Sequence, residues 1–305
     1  MLLTPKKIPF IQEIRDPLFA QQKIRFLIKR EDVIHPQISG NKWHKLKYNL
    51  EEAKSRGHET LLSFGGAYSN HIYALAAAAR EAGFACIGVI RGERVVPLNP
   101  TLQFAVKAGM HLHFVTREKY RVKTEASFIA DLNQQFGSFY LIPEGGTNQL
   151  AVRGASEIID ETIGIFDYIC CPVGTGGTIA GLVCGLRGRS KVIGFPVLKG
   201  DFLGEEVNKL VKEYSGQFYH NWYLMQQYHF GGYAKFTGEL IHFINAFREQ
   251  HSIALDPVYT GKMMYGIFDQ IRKGYFKKGS KIVAVHTGGL QGIAGFNEQF
   301  GELIT

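Results

Sequence analysis

The stretch SGNKWHKLKYNL (residues 39–50) places a lysine where an apolar side chain is expected. If a helix begins after Gly40, one of its faces is formed by Lys42, Leu46, Leu50 and Ala53. From the first helical turn, Lys42 can extend its amine to solvent. Alternatively, burial and nearby positive charge lower the pKa of the amine, which can then form a Schiff base with an aldehyde. The other charged residues of this helix are predicted to face water: Lys45, Lys47, Glu51 and Lys54.

The stretch CPVGTGGTIAGL (residues 171–182) is typical of a phosphate-binding loop. A strand is predicted to end before this loop and a helix to begin at about residue 178, so that free backbone N–H groups point outwards. The loop consists of Gly174, Thr175, Gly176, Gly177 and Thr178. It is neither a P-loop nor a complete dinucleotide fingerprint, and a sharp turn is the alternative interpretation. An amine on an apolar face together with a phosphate site indicates a cofactor with both an aldehyde and a phosphate, and pyridoxal phosphate fits.

Two further stretches place polar side chains at predicted element ends. In SNHIYALAAAAREAG, Ser69 and Asn70 stand at a helix start, where they can cap the helix or bind a carboxylate together with free N–H groups. In ALDPVYTGKMMYG, Tyr259 is either a packed aromatic or a phenol that faces a cleft. Thr260 and Thr287 are both candidate hydroxyl partners for a ring nitrogen.

Apolar runs that alternate with helical periodicity must position these residues. Runs such as KIRFLIKRED, TLLSFGG, ACIGVIRG and KIVAVHTGG predict an α/β protein whose parallel sheets are covered by helices on both faces. Four predicted strands end in glycine pairs, at residues 65–66, 145–146, 176–177 and 288–289. Ligands of open α/β sheets bind at the carboxyl ends of strands, so the four pairs predict a single cleft.

The amino-acid composition indicates which kinds of ligand, metal or membrane contact are expected of this protein. The net charge of +8 comes from scattered basic residues without a stripe interleaved with aromatics, so small anions are expected rather than nucleic acid. The chain has four cysteines but neither CxxC nor HExxH, and no metal site is expected. No apolar run is long enough for a membrane span, and no signal peptide is recognised, so the cytoplasm is the expected location.

Taken together, the motifs resemble those of fold type II pyridoxal-phosphate enzymes, which have a tryptophan synthase β-like fold. Within that group they resemble the family of 1-aminocyclopropane-1-carboxylate deaminase and D-cysteine desulfhydrase. The matching segments run in family order: KREDVIHPQISGNKWHKLKYNL, SFGGAYSNHIYALAAAA, PEGGTN, PVGTGGTIAGL, FGGYAKFT, LDPVYTGKMMYG and HTGGLQG. The resemblance implies a homodimer of two-domain chains, with a discontinuous large domain (residues 1–46 and 156–305) and a small domain (residues 47–155).

The resemblance also implies a role for each matching residue. Lys42 would bind the cofactor covalently and carry the proton at Cα, while Asn70 would donate to the cofactor's phenolic oxygen. Ser69, with the backbone of Asn70 and His71, would hold the substrate carboxylate, and residues 174–178 would bind the phosphate. Tyr233 and Tyr259 match two tyrosines near the reacting end of the substrate.

Two departures from the family pattern bear on the reaction. Family members with deaminase activity carry a glutamate at the position of Thr260, and a neutral hydroxyl makes the pyridine ring a weaker electron sink. This favours loss of a good leaving group over opening of a cyclopropane. The expected activity is α,β-elimination from a small amino acid such as D-cysteine, giving pyruvate, ammonia and sulfide. One alternative is 1-aminocyclopropane-1-carboxylate deaminase. The other is a non-catalytic pyridoxal-phosphate-binding protein. The second departure supports this last alternative, because Tyr68 replaces the family's usual glutamine in the carboxylate pocket.

Overall fold

Ten strands form two separate sheets within residues 2–305, the part of the chain described by the computed structural model. The larger sheet contains β1 (Ile11–Ile14), β2 (Arg25–Lys29), β7 (Tyr168–Val173), β8 (Lys191–Pro196), β9 (Trp222–Leu224) and β10 (Lys281–Val285). Its order is β1-β2-β10-β7-β8-β9, and all neighbours are parallel except β1 and β2. The smaller sheet contains β3 (Thr60–Gly66), β4 (Ala85–Arg91), β5 (Met110–Val115) and β6 (Tyr140–Ile142). It is entirely parallel, in the order β5-β4-β3-β6.

Twelve α-helices connect these strands within the described residues. They are α1 (Pro17–Gln22), α2 (Asn41–Ser55), α3 (Asn70–Ala82), α4 (Pro100–Lys107), α5 (Arg117–Arg121), α6 (Ala126–Phe136), α7 (Gln149–Ser156), α8 (Gly177–Leu186), α9 (Leu203–Ser215), α10 (Gly238–His251), α11 (Thr260–Arg272) and α12 (Gly292–Phe300). In residues 2–305, none of the helices has the length and apolar character needed to span a membrane.

Helices cover both faces of each sheet. Along β2, Phe26 and Ile28 pack in a core with α10 and α11, whereas Leu27 between them packs in a core with α8 and α9. This alternation is the two-residue period of a strand that is buried on both sides. In the smaller sheet, Leu61 packs with α2 and α3, while Leu62 packs with residues of α5 and α6. The predicted α/β fold with parallel sheets is therefore confirmed.

The strands of the smaller sheet all lie in residues 47–155, and those of the larger sheet lie outside that range. Both proposed boundaries of this segment fall inside helices, the first within α2 and the second within α7. The division into residues 1–46 with 156–305 and residues 47–155 stays a prediction.

Helix α2 is buried on more than one side. Its apolar face, with Leu46 and Leu50, packs in the core of the smaller sheet. Its other side meets α7 so closely that a Cβ at Gly154 would lie 1.8 Å from the carbonyl oxygen of His44. The prediction that Lys45 and Lys47 face water is wrong, because they are 2% and 3% exposed. Lys45 is covered by Thr147 and the start of α8, and Lys47 is paired with Glu157 at the end of α7.

Candidate active site

A cavity of about 790 Å³ lies between the two sheets at the carboxyl ends of their strands. Each of the four glycine pairs contributes to its lining, through Gly66, Gly145, Gly176 with Gly177, and Gly288. The predicted single cleft is confirmed. The cavity is also lined by most of the predicted site residues, namely Lys42, Ser69, Asn70, His71, Tyr233, Tyr259, Thr287 and residues 174–178.

Lys42 lies in the first turn of α2 and points its amine into this cavity. The helix begins at Asn41, directly after Gly40, as predicted. The amine has one weak contact, 3.4 Å to Oδ1 of Asn41. Burial lowers the pKa of Lys42 to about 8, and the carboxylate of Asp256 opposes this shift. Burial is thus the cause that the sequence anticipated, and the carboxylate of Asp256 acts against it.

Lys45 lies one turn further along α2 and also lines the cavity. Its amine donates to Oγ1 of Thr147 at 2.7 Å and approaches Oγ1 of Thr175 at 3.5 Å. Burial and then the charge of Lys42 hold the pKa of Lys45 well below its usual value. Sequence reasoning missed this residue, although residues three apart on a helix are neighbours and Lys42 was already identified.

The start of α8 forms the second wall of the same corner. The helix begins at Gly177, where a Cβ would lie only 3.1 Å from the amine of Lys45. Gly176 has a φ of +83°, a conformation that favours glycine. Oγ1 of Thr178 accepts from the amide of Asn41 at 2.8 Å, which ties α8 to the first residue of α2. Free N–H groups at a helix start and a buried amine therefore converge on one point.

These residues fit a group with an aldehyde and a phosphate. Among residues 2–305, neither Lys42 nor Lys45 has a carboxylate within ion-pair distance. Two desolvated amines without a carboxylate in direct contact are unfavourable, and an anion beside them relieves that cost. The helix dipole of α8 favours negative charge at the same place. A phosphate therefore fits beside Lys45 and the start of α8. The amine of Lys42 lies one helical turn away, where it can react with an aldehyde of the same group.

The start of α3 forms the wall on the side of the smaller sheet. Ser69 caps the helix, and its hydroxyl accepts from the N–H of Ile72 at 3.3 Å. The side chain of Asn70 accepts from the amide of Gln291 at 2.9 Å. His71 is 2% exposed, and its Nε2 lies 2.7 Å from the hydroxyl of Ser63. Burial, with Lys42 and Lys45, holds the pKa of His71 well below its usual value, so its ring is neutral.

Tyr233 and Tyr259 lie together on the remaining side. Their ring centroids are 6.1 Å apart with an interplanar angle of 74°. Tyr259 packs against the phosphate loop, since a Cβ at Gly174 would lie 3.2 Å from its ring. Burial raises the pKa of both phenols, so both are protonated at neutral pH. Tyr259 thus lines the cavity while one edge of its ring packs against the backbone at Gly174.

The two candidate threonines occupy different places. Thr287 lines the cavity and is 6% exposed. Thr260 is fully buried outside the lining, where its hydroxyl donates to Oδ2 of Asp256 at 2.7 Å and its N–H donates to the same oxygen at 2.9 Å. Of the two, the structure brings Thr287 to the cavity.

Asp256 is a second residue that sequence reasoning missed. Its Oδ1 accepts from the N–H groups of Val258 and Tyr259 at 2.9 and 2.8 Å, and its Oδ2 accepts from Thr260. The carboxylate therefore fixes the start of α11 and the backbone of Tyr259. The available signal was Asp-Pro, which is typical of a turn.

Tyr68 lines the cavity at its edge, 39% exposed, with its ring against α12 at Gly295.

Comparison with known proteins gives consistent matches. The family described as pyridoxal-phosphate dependent enzyme matches residues 13–288. A Pyrococcus horikoshii protein, provisionally named a 1-aminocyclopropane-1-carboxylate deaminase, is 32% identical over 91% of this chain and 88% of its own length. The bifunctional D-cysteine desulfhydrase/1-aminocyclopropane-1-carboxylate deaminase of Arabidopsis thaliana, a mitochondrial protein, is 30% identical over 91% of this chain and 75% of its own length.

Solved structures agree with these matches. The crystal structure of an ACC deaminase homologue has a TM-score of 0.85 and 29% identity, and the match covers 99% of this chain and 97% of that one. Threonine deaminase isoform 2 of Solanum lycopersicum has a TM-score of 0.63 and 15% identity over 91% of this chain and 80% of its own, which shows a shared fold alone.

Proposed function

Since the chain belongs to the family of pyridoxal-phosphate-dependent enzymes, we propose that it is a lyase that catalyses α,β-elimination on a small amino acid. With D-cysteine as the substrate, the products are pyruvate, ammonia and sulfide. The observation that carries this proposal is the pair of amines, of half-buried Lys42 and buried Lys45, one helical turn apart in one cavity. When bound, pyridoxal phosphate supplies an electron sink for the negative charge that develops at Cα.

Each wall of the cavity has a separate task in this proposal. Lys42 binds the cofactor and afterwards accepts the Cα proton at its Nζ, for which a pKa of about 8 is suited near neutral pH. Lys45 binds the phosphate together with the start of α8, formed by Gly174, Thr175, Gly176, Gly177 and Thr178. A charged amine beside free N–H groups adds a charge-assisted contact to the helix dipole.

The start of α3 holds the amino-acid substrate. The hydroxyl of Ser69 and the N–H groups of Asn70 and His71 bind its carboxylate, in line with the positive end of the helix dipole. The side chain of Asn70, positioned by Gln291, donates to the cofactor's phenolic oxygen. The two protonated phenols, Tyr233 and Tyr259, stand beside the reacting end and can donate a proton to a leaving group.

A hydroxyl rather than a carboxylate as the partner of the ring nitrogen would favour elimination over cyclopropane opening. Thr287 offers a hydroxyl from the cavity wall, and the hydroxyl of Thr260 is already committed to Asp256. A hydroxyl does not stabilise a protonated pyridine ring as a carboxylate does, so a substrate with a good leaving group is favoured. The second candidate is 1-aminocyclopropane-1-carboxylate deaminase, because the relatives of this chain carry that name as well.

Product analysis tests the proposal. Pyruvate from D-cysteine and from β-chloroalanine supports elimination, whereas 2-oxobutanoate from 1-aminocyclopropane-1-carboxylate supports the deaminase. Absence of any product from a cofactor-loaded protein supports a binding protein without turnover. Lys42→Ala is expected to abolish both the visible absorbance of the bound cofactor and pyruvate release. Lys54→Ala, at the exposed end of the same helix, is the matched control and should retain both.

The family resemblance further supports a homodimer of two-domain chains. Size-exclusion chromatography with light scattering measures the mass directly. A species of the mass of a single chain at enzyme concentrations used in assays would contradict the dimer.

A further inference from the structure

Two basic residues, Arg91 and Lys123, line the cavity on the side of the smaller sheet. Arg91 is the last residue of β4 and pairs in register with Gly66, the last residue of β3. Its guanidinium lies 5.7 Å from the ring centroid of Tyr120, and the amine of Lys123 lies 4.8 Å from the same centroid. One aromatic ring thus supports both cations at the cavity wall.

Only part of this positive charge is balanced locally. Lys123 forms an ion pair with Glu144 at 3.2 Å, and the hydroxyl of Tyr120 donates to the same carboxylate at 2.8 Å. Among residues 2–305, no carboxylate lies within 4.0 Å of the guanidinium of Arg91. The side chain of Arg91 is exposed, so water solvates its five donors. The cluster Arg91–Lys123–Glu144 therefore presents one excess positive charge to the cavity.

The guanidinium of Arg91 lies beside the end of β3, where a Cβ at Gly66 would be 3.6 Å from it, on the wall that leads to Ser69 at the start of α3. The charge of Arg91 lowers the pKa of Tyr233, and that of Glu144 raises it, so both act across the cavity on a phenol at the proposed reacting end. With the substrate carboxylate held at the start of α3, the guanidinium of Arg91 on the same cavity wall is available to a side chain that extends beyond Cβ.

We propose that Arg91, supported by Lys123, is a specificity-determining residue that binds an anionic group at the far end of the substrate's side chain. The preferred substrates are then amino acids with a carboxylate, sulfonate or phosphate beyond Cβ, compared with neutral side chains of the same size. A guanidinium binds such oxyanions through two parallel N–H contacts, which a lone amine does not provide. This inference rests on the proposed function, since it assumes that the amino acid binds in this cavity.

Equilibrium binding to the cofactor-loaded enzyme tests the subsite without requiring turnover. The probes are two nearly isosteric pairs, aspartate against asparagine and glutamate against glutamine, in both enantiomers. Calorimetry or the visible spectrum of the cofactor gives the dissociation constants. The acid of at least one pair is expected to bind about tenfold more tightly than its amide, as for one charge-assisted contact, and added salt should reduce that ratio.

Three variants locate the effect. Arg91→Gln should bring the acid-to-amide ratio to about one, since it removes the charge that would be worth about tenfold. Glu144→Gln keeps an acceptor for Tyr120 but releases Lys123, so it should increase the ratio. Arg94→Gln removes the same charge three residues away, at an exposed position outside the cavity lining, and should leave the ratio of the wild type.

Several results would overturn the inference. Equal binding of acid and amide in every pair would show that no anion subsite exists. An unchanged ratio in Arg91→Gln would show that the guanidinium only stacks on Tyr120. Equal weakening of acid and amide in that variant would assign Arg91 to the α-carboxylate. If β-chloroalanine gives no pyruvate while the acid-to-amide ratio depends on Arg91, the proposed elimination fails and the subsite remains.

Discussion

Replacement of Lys45 by glutamine should weaken cofactor binding without disturbing the fold of α2. Lys45 is 2% exposed. Within residues 2–305 its amine has two hydrogen-bond partners, the hydroxyls of Thr147 and Thr175 at 2.7 and 3.5 Å, and it is repelled by the charge of Lys42. A glutamine can keep one hydroxyl contact but loses the amine, which a bound phosphate at the start of α8 would keep protonated. The charge-assisted contact to a phosphate is worth about 2 kcal/mol, which corresponds to a dissociation constant about 30-fold higher.

Titration of cofactor-free enzyme with pyridoxal phosphate, followed by visible absorbance, measures this effect. Lys47→Gln is the matched control, because Lys47 is equally buried in α2 but its amine is paired with Glu157 outside the cavity. Thermal unfolding of both variants separates loss of stability from loss of affinity. If Lys45→Gln binds the cofactor as tightly as the wild type while Lys47→Gln does too, the amine of Lys45 has no part in phosphate binding.

Three other outcomes follow from the site geometry. Cofactor uptake should accelerate as the pH rises through about 8, because the neutral amine of Lys42 is the nucleophile; a rate independent of pH there contradicts its lowered pKa. Thr260→Val should lower the free energy of unfolding in urea by about 2 kcal/mol, because Asp256 loses a buried donor; an unchanged midpoint refutes this. Gly40→Ala should destabilise by about 3 kcal/mol or more and impair cofactor binding, because φ is +60° and the new Cβ would lie 1.9 Å from the carbonyl oxygen of Thr287.

Features that depend on local chain geometry were predictable from the sequence. The helix starts after Gly40 and at Ser69 follow from glycine and cap positions. The spacing of the apolar residues placed Lys42 on the apolar face of its helix, but it left open whether the amine reached solvent or the protein interior. The convergence of four glycine pairs on one cavity follows from the rule that parallel strands end at the same edge.

Features that depend on distant segments were not predictable. The burial of Lys45 and Lys47 requires segments that follow about a hundred or more residues later in the chain, namely Thr147 with the start of α8 for Lys45 and the end of α7 for Lys47. The hydrogen bond from the hydroxyl of Thr260 to Asp256 could not be predicted from the turn sequence. Thr260 and Thr287 were therefore equivalent candidates for the partner of a ring nitrogen. The sequence placed Arg91 at the end of a predicted strand, but its contact with Tyr120 depends on the fold and could not be predicted.

The position of both lysines on a single turn of α2 has a consequence for the catalytic cycle. Successive residues rise about 1.5 Å along a helix, so the anchors for the two ends of the proposed cofactor are separated by about 4.5 Å along one rigid rod. Because α2 is one continuous helix, any movement of the helix shifts both anchors together and keeps the distance between them. The proposed cofactor would then be held at both ends while amino acids enter and leave the cavity.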